Sequence, residues 1–585
     1  MLFGKKKEKE QRSVLEEEQM QSPFRTIIKN LLENKLAMGG LIVFVSIFVM
    51  CFVLPIWFHQ DLNYQDPTQK NIAPGFSFLD VPKELKENAE IIEFGPTFGV
   101  GVDKDGYVYE WGQLTENLKK MPYDMGKIVD IAVGQDHVLA LNDKGELFTW
   151  GYNRMQLNKI PAELKGKKIR DIEAGYQMSL VVTEDGEVVS WGNENAVDIS
   201  TAKVADERIK EVKTNIQTGI ALTKDGRVIS LAKRETALDK VPEEIQGKVE
   251  KIALTDKAAA AVLKDGTVKV WGNNHHNIFS VPEEVQKHVA DISAGRNHMV
   301  VLTDKGDVVA WGGNENKQAK VPGKAKNAAK IASGYYQNCA ISEDGKVTTW
   351  GLKGYLLGTD NLGRNVFYRI LKGGQMTMTV GFIAVIIQFA IGIFVGGISG
   401  YYGGKVDMLL MRLSEVVGSL PFIPLALILS ALIGNKVSDV GRIIMIMLIL
   451  GVLGWTGIAN MVRAQVLAER EKEFVVAAKA LGVKERNIIF RHIVPNVMTI
   501  IIVQATISFA SCMLTESGLS FLGFGVAEPI PSWGNMLNNC RSSEVISQYW
   551  WRWVFPSIAL GLCTVSINLF GDGLRKAVDP KANER

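Results

Sequence analysis

The stretch "ISAGRNHMVVLTDKGDVVAWGGN" (residues 292–314) has the pattern of a β-hairpin from a water-soluble domain. Apolar and polar residues alternate on both sides of a Lys-Gly pair, and a tight turn at such a pair joins two antiparallel strands. The same chain contains the opposite pattern in "LAMGGLIVFVSIFVMCFVLPIW" (residues 36–57), which is long and apolar enough to cross a bilayer. The sequence therefore combines a soluble β-rich part with a membrane part.

The hairpin recurs along the chain with a nearly constant period. Successive turn glycines are separated by 39 to 41 residues. In six of the seven units a Trp-Gly pair begins five residues after the turn glycine, and in the fourth unit Leu231 takes the tryptophan position. Four-stranded units of this length, repeated seven times, close into a β-propeller, with the tryptophan packed between neighbouring blades. The turn glycines are Gly106, Gly145, Gly186, Gly226, Gly266, Gly306 and Gly345.

Proline marks the same period. It follows the tryptophan position by eleven residues in most units, and Pro82 opens the series at the same phase. The stretch "AGRNHMVVLTDKGDVVAWGG" (294–313) resembles the repeat of regulator-of-chromosome-condensation propellers, whose Gly-x-x-His opening occurs here at 134–137 and 295–298. The resemblance implies a seven-bladed propeller over residues 82–351. The units are shorter than usual for that family, so the number of strands per blade stays open.

Six uncharged runs each approach or exceed the roughly 20 residues that a helix needs to cross a bilayer. Lysine and arginine are concentrated in the tail before residue 36 and in the segment 463–491, and positively charged loops stay in the cytoplasm. Both termini are therefore expected in the cytoplasm, with the propeller outside the plasma membrane. The runs are 36–58, 373–404, 416–435, 443–462, 493–515 and 553–571.

A basic loop after the fourth run has the features of a docking segment. The stretch "EREKEFVVAAKALGVKERNIIFRHIVPN" (469–496) predicts a short helix, a glycine break and a second basic amphipathic helix. Ala477 and Ala478 leave a shallow face that another protein can approach closely. Gly482 permits a sharp turn, and Pro495 suits the first turn of the next span. This loop is the main candidate site.

The loop resembles the coupling motif of ATP-binding-cassette importer permeases. Further stretches resemble the second membrane subunit of oligopeptide, dipeptide and nickel importers, among them "LGTDNLGRNVFYRILKGG" (357–374) and "ESGLSFLGFGVAEPIPSWGNML" (516–537). The resemblance implies an α-helical polytopic membrane protein, a type I importer permease with six transmembrane helices and an inserted all-β domain. The motif glutamate of the family falls on Val476, and Glu473 lies one helical turn earlier. The implied ATPase-coupling residues are Glu473, Val476, Ala477, Ala478, Gly482, Arg486 and Pro495.

These signals predict a layout with the propeller between the first and second membrane spans. The expected segments are a cytoplasmic tail (1–35), a first transmembrane helix (36–58), a linker (59–81), the propeller (82–351), a return segment with the motif LGTDNLGR (352–372), and a permease core (373–585) with five transmembrane helices and the coupling loop (469–496).

The sequence offers no chemistry of its own. It has no G-x-x-x-x-G-K-[ST] motif to hold nucleotide phosphates, no HExxH motif and no nucleophile elbow. "DKDG" (103–106) matches the register of the hairpin turns rather than a calcium loop, and His275 and His276 are expected in a solvated loop. Cys339 is alone in the insert, so no internal disulfide can form there. We expect no enzymatic activity, no cofactor, no metal and no nucleic-acid partner.

The resemblance to importer permeases also implies partners. They are a second permease subunit in a heterodimer, two cytoplasmic ATPase subunits, an extracytoplasmic substrate-binding protein and membrane lipid. Peptides are the expected substrate, and nickel or another small solute stays open because the permease motifs are shared. A membrane-anchored ligand sensor is the alternative from another class, but a sensor needs no ATPase docking surface. The propeller is expected to dock the binding protein or the substrate, with a passive spacer as its alternative.

Overall fold

The computed structural model describes residues 23–58, 60–193, 195, 197–200, 209–216, 218–434 and 436–578. The chain divides into two compact units. One contains residues 66–363 and is built of β-strands, and the other contains the described residues before 66 and after 363 and is helical.

The β unit contains seven three-stranded antiparallel sheets, each a meander of consecutive strands. The first strands of the sheets contact one another in turn, and the first strand of the seventh sheet contacts β1, so the ring is closed. The strands are β1 (Ala89–Phe94), β2 (Phe98–Asp103), β3 (Val108–Gly112), β4 (Ile128–Val133), β5 (His137–Asn142), β6 (Leu147–Gly151), β7 (Ile169–Ala174), β8 (Met178–Thr183), β9 (Val188–Gly192), β10 (Ile209–Thr214), β11 (Gly219–Thr223), β12 (Val228–Ser230), β13 (Val249–Leu254), β14 (Ala258–Leu263), β15 (Val268–Gly272), β16 (Val289–Ala294), β17 (His298–Thr303), β18 (Val308–Gly312), β19 (Ala328–Ser333), β20 (Gln337–Ser342) and β21 (Val347–Gly351).

The repeat markers have direct structural roles. All seven turn glycines adopt φ between +77° and +90°, a region that residues with a Cβ rarely enter. The tryptophans are buried between adjacent sheets; Trp271, for example, packs with Ile220 of the fourth sheet and Ile252 of the fifth. The predicted propeller is confirmed, the seven three-stranded sheets fit the seven predicted blades, and the tryptophans lie between neighbouring blades as expected.

The tryptophans also hold neighbouring repeats together by hydrogen bonds. In five of the six, the indole Nε1–H donates to a backbone carbonyl 32 to 34 residues earlier, at 2.8 to 3.1 Å. Trp150 differs because its indole donates to the Glu110 carboxylate at 2.7 Å. The five backbone acceptors are Phe78, Leu157, Leu238, Ile278 and Gln318.

The blades have three strands in the described residues, not the four that a propeller of this type suggests. After the third strand, Pro161, Pro242 and Pro282 each precede a short 3-10 turn, which places Leu164, Ile245 or Val285 in the core. Proline has no N–H to donate to a sheet ladder, so this position favours a turn over a fourth strand.

The fourth blade replaces the tryptophan contact with backbone pairing. Leu231 is fully buried against the third sheet, in the cluster that contains Met178 and Leu180. Its carbonyl accepts from the N–H of Asp198 at 2.8 Å, and Val197 forms a β-bridge with Ala232. A smaller side chain is therefore accommodated without a gap in the ring.

The helical unit contains thirteen labelled helices in the part of the chain that is described. Four are long and apolar enough to cross a membrane, or six spans result if each of two bent pairs is one span. The helices are α1 (Pro23–Glu33), α2 (Lys35–Trp57), α3 (Val366–Tyr402), α4 (Gly404–Ser419), α5 (Phe422–Gly434), α6 (Asp439–Leu453), α7 (Thr456–Glu469), α8 (Glu473–Ala480), α9 (Glu485–Asn487), α10 (Val494–Phe521), α11 (Trp533–Asn538), α12 (Ser543–Gln548) and α13 (Trp551–Val578).

Two bent helix pairs stand where the third and fourth spans are predicted. Helices α4 and α5 meet at 76°, and α6 and α7 meet at 40°. Pro421 explains the first break, because a proline disfavours helical geometry in the preceding residue, and Leu420 is extended with ψ of 131°.

A ridge of small residues joins α3 to α7 at very short range. Gly392, Gly396 and Gly400 are spaced four residues apart on α3. A Cβ on Gly396 would lie 2.4 Å from the Ala459 carbonyl oxygen, and one on Gly400 would lie 2.7 Å from that of Arg463. Small residues at this spacing allow helix backbones to touch within a membrane.

We expect the tryptophan contacts to contribute strongly to propeller stability. Trp271→Phe keeps an aromatic ring in the core but leaves the buried Leu238 carbonyl without its donor, which should cost about 1–3 kcal/mol. Calorimetry of the full-length protein should show a lower propeller transition. The matched change Trp550→Phe, at a residue that is 46% exposed in the helical unit, should leave that transition in place. An unchanged transition in Trp271→Phe would contradict the assignment.

Candidate functional site

The candidate loop lies between α7 and α10 and contains α8 and α9. Helix α8 follows α7 after a short turn, in which the Lys472 N–H donates to the Glu469 carbonyl at 3.1 Å. One face of α8 is packed into the helical core, because Val475 is fully buried and Ala478 is 8% exposed. The loop is therefore a folded part of the helical unit.

A cation–π contact fastens α8 to the end of α3. The Lys479 ammonium lies over the ring of Tyr401, 4.9 Å from its centroid. Such contacts contribute about 0.5–2 kcal/mol, and more where water is excluded. Nearby, the Arg470 guanidinium donates to the Gly400 carbonyl at 3.4 Å. The start of the loop and α8 both contact the same end of α3.

The opposite face of α8 carries apolar residues that no described residue covers. Val476 is 56% exposed, Leu481 is 83% exposed, and Phe474 and Ala477 are also exposed. We call Phe474, Val476, Ala477 and Leu481 the outer face of α8. An apolar patch of this kind, held on a rigid helix, is typical of a protein interaction site.

Gly482 ends α8 in a defined capping motif. Its φ is +72°, its N–H donates to the Lys479 carbonyl at 3.0 Å, and the Val483 N–H donates to the Ala478 carbonyl at 3.1 Å. This pair of bonds is a Schellman cap, which needs a left-handed residue at this position. The predicted sharp turn is present, and it fixes the direction in which the chain leaves α8.

The second half of the loop leads into the next span through an irregular turn. Arg486 is exposed on α9, and a π-helical turn (Ile488–Ile493) follows. Pro495 lies in the first turn of α10, as the sequence suggests, and is exposed. Proline lacks the N–H that would bond to the turn before it, and the widened turn lies immediately upstream.

The structure divides the predicted coupling residues between two faces. Val476 and Ala477 lie on the outer face, whereas Ala478 is packed inward and offers no surface to a partner. The expectation that both alanines form the approachable face is therefore wrong for Ala478. Glu473 is in the first turn of α8 and is exposed. There a carboxylate is favoured by the partial positive charge of the helix end.

An ion pair behind the loop was missed by the sequence analysis. The Arg463 guanidinium of α7 donates through Nε and Nη2 to the Asp407 carboxylate of α4, at 2.5 and 2.6 Å. The Ser399 hydroxyl of α3 donates to the same carboxylate. The two charges lie 56 residues apart in the chain, so no local pattern pairs them. The contact joins three helices next to the loop.

Other stretches that resemble importer permeases have structural roles. Asn365 caps the N-terminus of α3. Arg364 donates to Glu528 at 2.8 Å. Burial acts to raise the pKa of Glu528, but the hydrogen bond and charge of Arg364 hold it below its usual value. The Trp533 indole donates to the Ile370 carbonyl at 3.0 Å.

Three family models match this chain. Residues 389–584 match the model described as "Binding-protein-dependent transport system inner membrane component". Residues 22–74 match the "N-terminal TM domain of oligopeptide transport permease C". The regulator of chromosome condensation repeat matches at 128–156, 169–196 and 289–318.

Individual proteins also resemble the chain. A dipeptide transport system permease protein of Bacillus subtilis is 42% identical over 224 residues, which is 38% of this chain and 68% of that protein. An oligopeptide transport system permease protein of Haemophilus influenzae is 41% identical over 231 residues, 39% of this chain and 72% of that protein. The crystal structure of Prp20p from Saccharomyces cerevisiae is similar with 21% identity and a TM-score of 0.34, over 41% of this chain and 76% of that one.

We expect the loop to depend on the left-handed conformation of Gly482. No atom lies within 4 Å of a Cβ added there, so Gly482→Ala introduces only backbone strain, about 1–2 kcal/mol. The Gly482 and Val483 amides should then exchange with solvent roughly 5 to 30 times faster. Gly482→Asn is the matched control, because asparagine tolerates this conformation better than alanine. Equal exchange in both variants would show that the cap does not order the loop.

Proposed function

Because the chain belongs to the family of binding-protein-dependent inner-membrane transport components, in its peptide-permease branch, we propose that it forms half of the translocation pathway of an importer driven by separate ATPase subunits. The chain is a transmembrane permease subunit of the bacterial inner membrane. Its partners in the proposal are a second permease subunit, two cytoplasmic ATPase subunits and an extracytoplasmic substrate-binding protein.

The proposal that the loop docks an ATPase subunit rests on the outer face of α8. It combines exposed apolar side chains with a fixed orientation, since Val475 and Lys479 anchor the helix from behind. The aliphatic Val476 at the position of the family's motif glutamate makes this surface apolar. The proposed contact is therefore packing of Val476 and Leu481 into a groove of the ATPase, and Arg486 and Glu473 provide a charged margin.

Peptides are the proposed substrates. The two permeases described above are named for dipeptide and oligopeptide transport, which favours peptides over nickel on this shared scaffold. A membrane-anchored sensor is the less favoured class. Ligand sensing alone does not require an exposed apolar helix such as α8 next to the membrane spans.

We further propose that both termini and the loop face the cytoplasm, and that the propeller faces outward. The basic residues of the loop support this, since positively charged segments stay inside. An outward propeller would meet the substrate-binding protein or the substrate on the side from which peptides arrive. Its role in the proposal is to hold one of them.

Charging the outer face of α8 should uncouple the permease from its ATPase. Val476→Lys and Leu481→Asp each place a charge in an apolar contact, so the ATPase should no longer co-purify and uptake of a labelled oligopeptide should be lost. Leu522→Glu is the matched control for ATPase capture, because Leu522 is 44% exposed at the far end of α10. Unlabelled peptide, and not Ni²⁺, should compete with the labelled oligopeptide for uptake by the wild-type protein. Normal ATPase capture by both charged variants would refute the docking site.

Thiol labelling should establish the orientation. The five native cysteines are buried, so a single added cysteine gives a clean signal. Tyr123→Cys, at a propeller residue that is 98% exposed, should react with a membrane-impermeant maleimide in cells whose cytoplasmic membrane is intact. Leu481→Cys should react only after that membrane is permeabilised. The reverse pattern would invert the proposed topology.

A further inference from the structure

Glu516 is a carboxylate in an unusual place. It lies in α10, part of a helical stretch that is long and apolar enough to cross a membrane, and it is completely buried. Ionisable side chains inside membrane spans are rare and usually serve a function. Neither the coupling loop nor the glycine ridge of α3 contains this residue, so its partners are the guide to its role.

Four hydroxyl groups surround the Glu516 carboxylate. The Ser520 hydroxyl donates to Oε1 at 2.6 Å, and the Ser517 hydroxyl donates to Oε2 at 3.3 Å. The hydroxyl groups of Thr377 on α3 and of Ser532, which caps α11, are further donors to the same carboxylate. A carboxylate has about four acceptor sites on its two oxygens, so it can take all of these hydrogens.

Three of these hydroxyl groups also accept hydrogen bonds from the backbone of one segment. We call residues 525–536 the docked segment. A hydroxyl has a single hydrogen, and when that hydrogen goes to Glu516 the lone pairs of the oxygen are left for backbone N–H groups. Glu516 therefore orients three acceptors for the docked segment. The N–H groups of Val526, Trp533 and Asn535 donate to Ser520 Oγ, Thr377 Oγ1 and Ser532 Oγ, at 3.0, 3.3 and 3.2 Å respectively.

Other hydroxyl groups of the membrane helices are oriented differently. Those of Thr379, Thr515 and Thr564 each donate to the backbone carbonyl four residues earlier in their own helix, at 2.7 to 2.8 Å. Serine and threonine often make this contact within helices. Ser520 lies in the same helix as Thr515 but donates to Glu516, so the carboxylate determines where this hydroxyl presents its oxygen.

The docked segment is wedged between α3 and α10. Trp533 is completely buried, and its indole N–H donates to the Ile370 carbonyl at 3.0 Å. A Cβ on Gly374 of α3 would lie 2.5 Å from the Trp533 ring, and a Cβ on Gly534 would lie 2.3 Å from the Ser517 carbonyl oxygen of α10. With contacts this close, the segment and the two helices cannot slide past one another without a clash.

The docked segment and the coupling loop lie at opposite ends of the same helices. Helix α10 begins after the coupling loop, and the docked segment follows its other end. Thr377 lies in the first half of α3, whereas Tyr401, which contacts α8, lies at the end of that helix. In the proposed topology, the docked segment is therefore at the outward mouth of the permease, where peptides enter.

We propose that Glu516 is a positioning residue for transport. Through its hydroxyl partners it fixes the docked segment to α3 and α10, so that the outward mouth moves together with the two helices that reach the ATPase side. This role rests on the proposed function as an importer subunit. Without the carboxylate, the hydroxyl groups turn to carbonyls of their own helices, and the segment no longer follows the helices.

Hydrogen exchange on the full-length protein in detergent tests the contact itself. Glu516→Met removes both acceptor oxygens at nearly the same side-chain length, so amides of the docked segment should exchange roughly 5 to 30 times faster. Glu516→Gln keeps one acceptor oxygen and should have a smaller effect. Glu544→Gln is the matched control, because Glu544 is exposed on α12, shortly after the docked segment.

The complete importer in lipid vesicles tests the role in transport. The measured quantity is the labelled oligopeptide imported per ATP hydrolysed. In Glu516→Met the ATPase should co-purify as in the wild type and ATP should still be hydrolysed, but import should be lost, because the motion no longer reaches the mouth. A residue needed only for folding would instead lower ATPase capture and both activities together.

Ser520→Ala is an independent variant that leaves the carboxylate in place and removes the acceptor of the Val526 N–H. It should raise exchange at Val526 and lower import per ATP, less than Glu516→Met does. If Glu516→Met does not fold, Ser520→Ala decides by the same two measurements.

Wild-type exchange, or wild-type import per ATP, in a Glu516→Met variant that captures the ATPase would overturn the inference. Failure of the wild-type importer to take up peptide would refute the proposed function and the transport role with it. The exchange measurement would then still decide whether Glu516 holds the docked segment.

Discussion

The β unit depends on a short pairing between its own two ends. The Asp66 N–H donates to the Leu362 carbonyl at 2.9 Å, and Gly75 forms a β-bridge with Tyr355. The chain therefore enters and leaves a closed seven-bladed ring at one place. A domain whose ends meet can be inserted between two helices without forcing them apart, which allows a soluble fold of this size to interrupt a membrane protein. The same end segments complete the ring, because the Phe78 carbonyl accepts the Trp111 indole N–H, as a carbonyl of the preceding repeat does for the third, fifth, sixth and seventh blades.

The repeat could be predicted because its markers act locally or at one fixed distance. Turn glycines set hairpins, and a tryptophan every 40 or so residues reports the contact between blades. The compact unit extends beyond the expected boundaries 82–351, to residues 66–363, because the flanking residues pair with each other and also bond to the repeats, as Asp66 does with Arg296. The strand number stayed open because the units are shorter than usual for propellers of that family. In the membrane part, apolar length predicts that a segment spans but not that Pro421 bends it.

The composition of the loop located the candidate site, but it did not show which face of α8 is exposed to a partner. Alanine is small enough to lie on either side of a helix, so "VVAAKA" does not show that Ala478 packs inward and Val476 outward. That choice follows from how α8 packs into the helical core, together with the contact between Lys479 and Tyr401, which lie 78 residues apart in the chain. The Arg463–Asp407 pair is likewise a contact between residues that lie far apart in the chain. Long-range ion pairs leave no period in a sequence, and their partners are found only when the helices have been placed.

The contacts behind α8 define what a partner on its outer face would move. Helix α8 is held to the end of α3 by Lys479, and α7 is held to α3 along the glycine ridge, where the two backbones touch. With no layer of side chains between them, α3 and α7 cannot slide past each other without a clash. On the proposed function, a displacement of α8 that moved Tyr401 with Lys479 would therefore move α3 and α7 together. Since α3 runs from Val366 to Tyr402 as one helix, that movement would reach the opposite end of the span. The bent pairs α4–α5 and α6–α7 can flex where their two helices meet. The angle between the two helices of a pair can change without loss of the hydrogen bonds within either helix. On the proposed function, the rigid element carries the motion from the ATPase side and the broken spans absorb it.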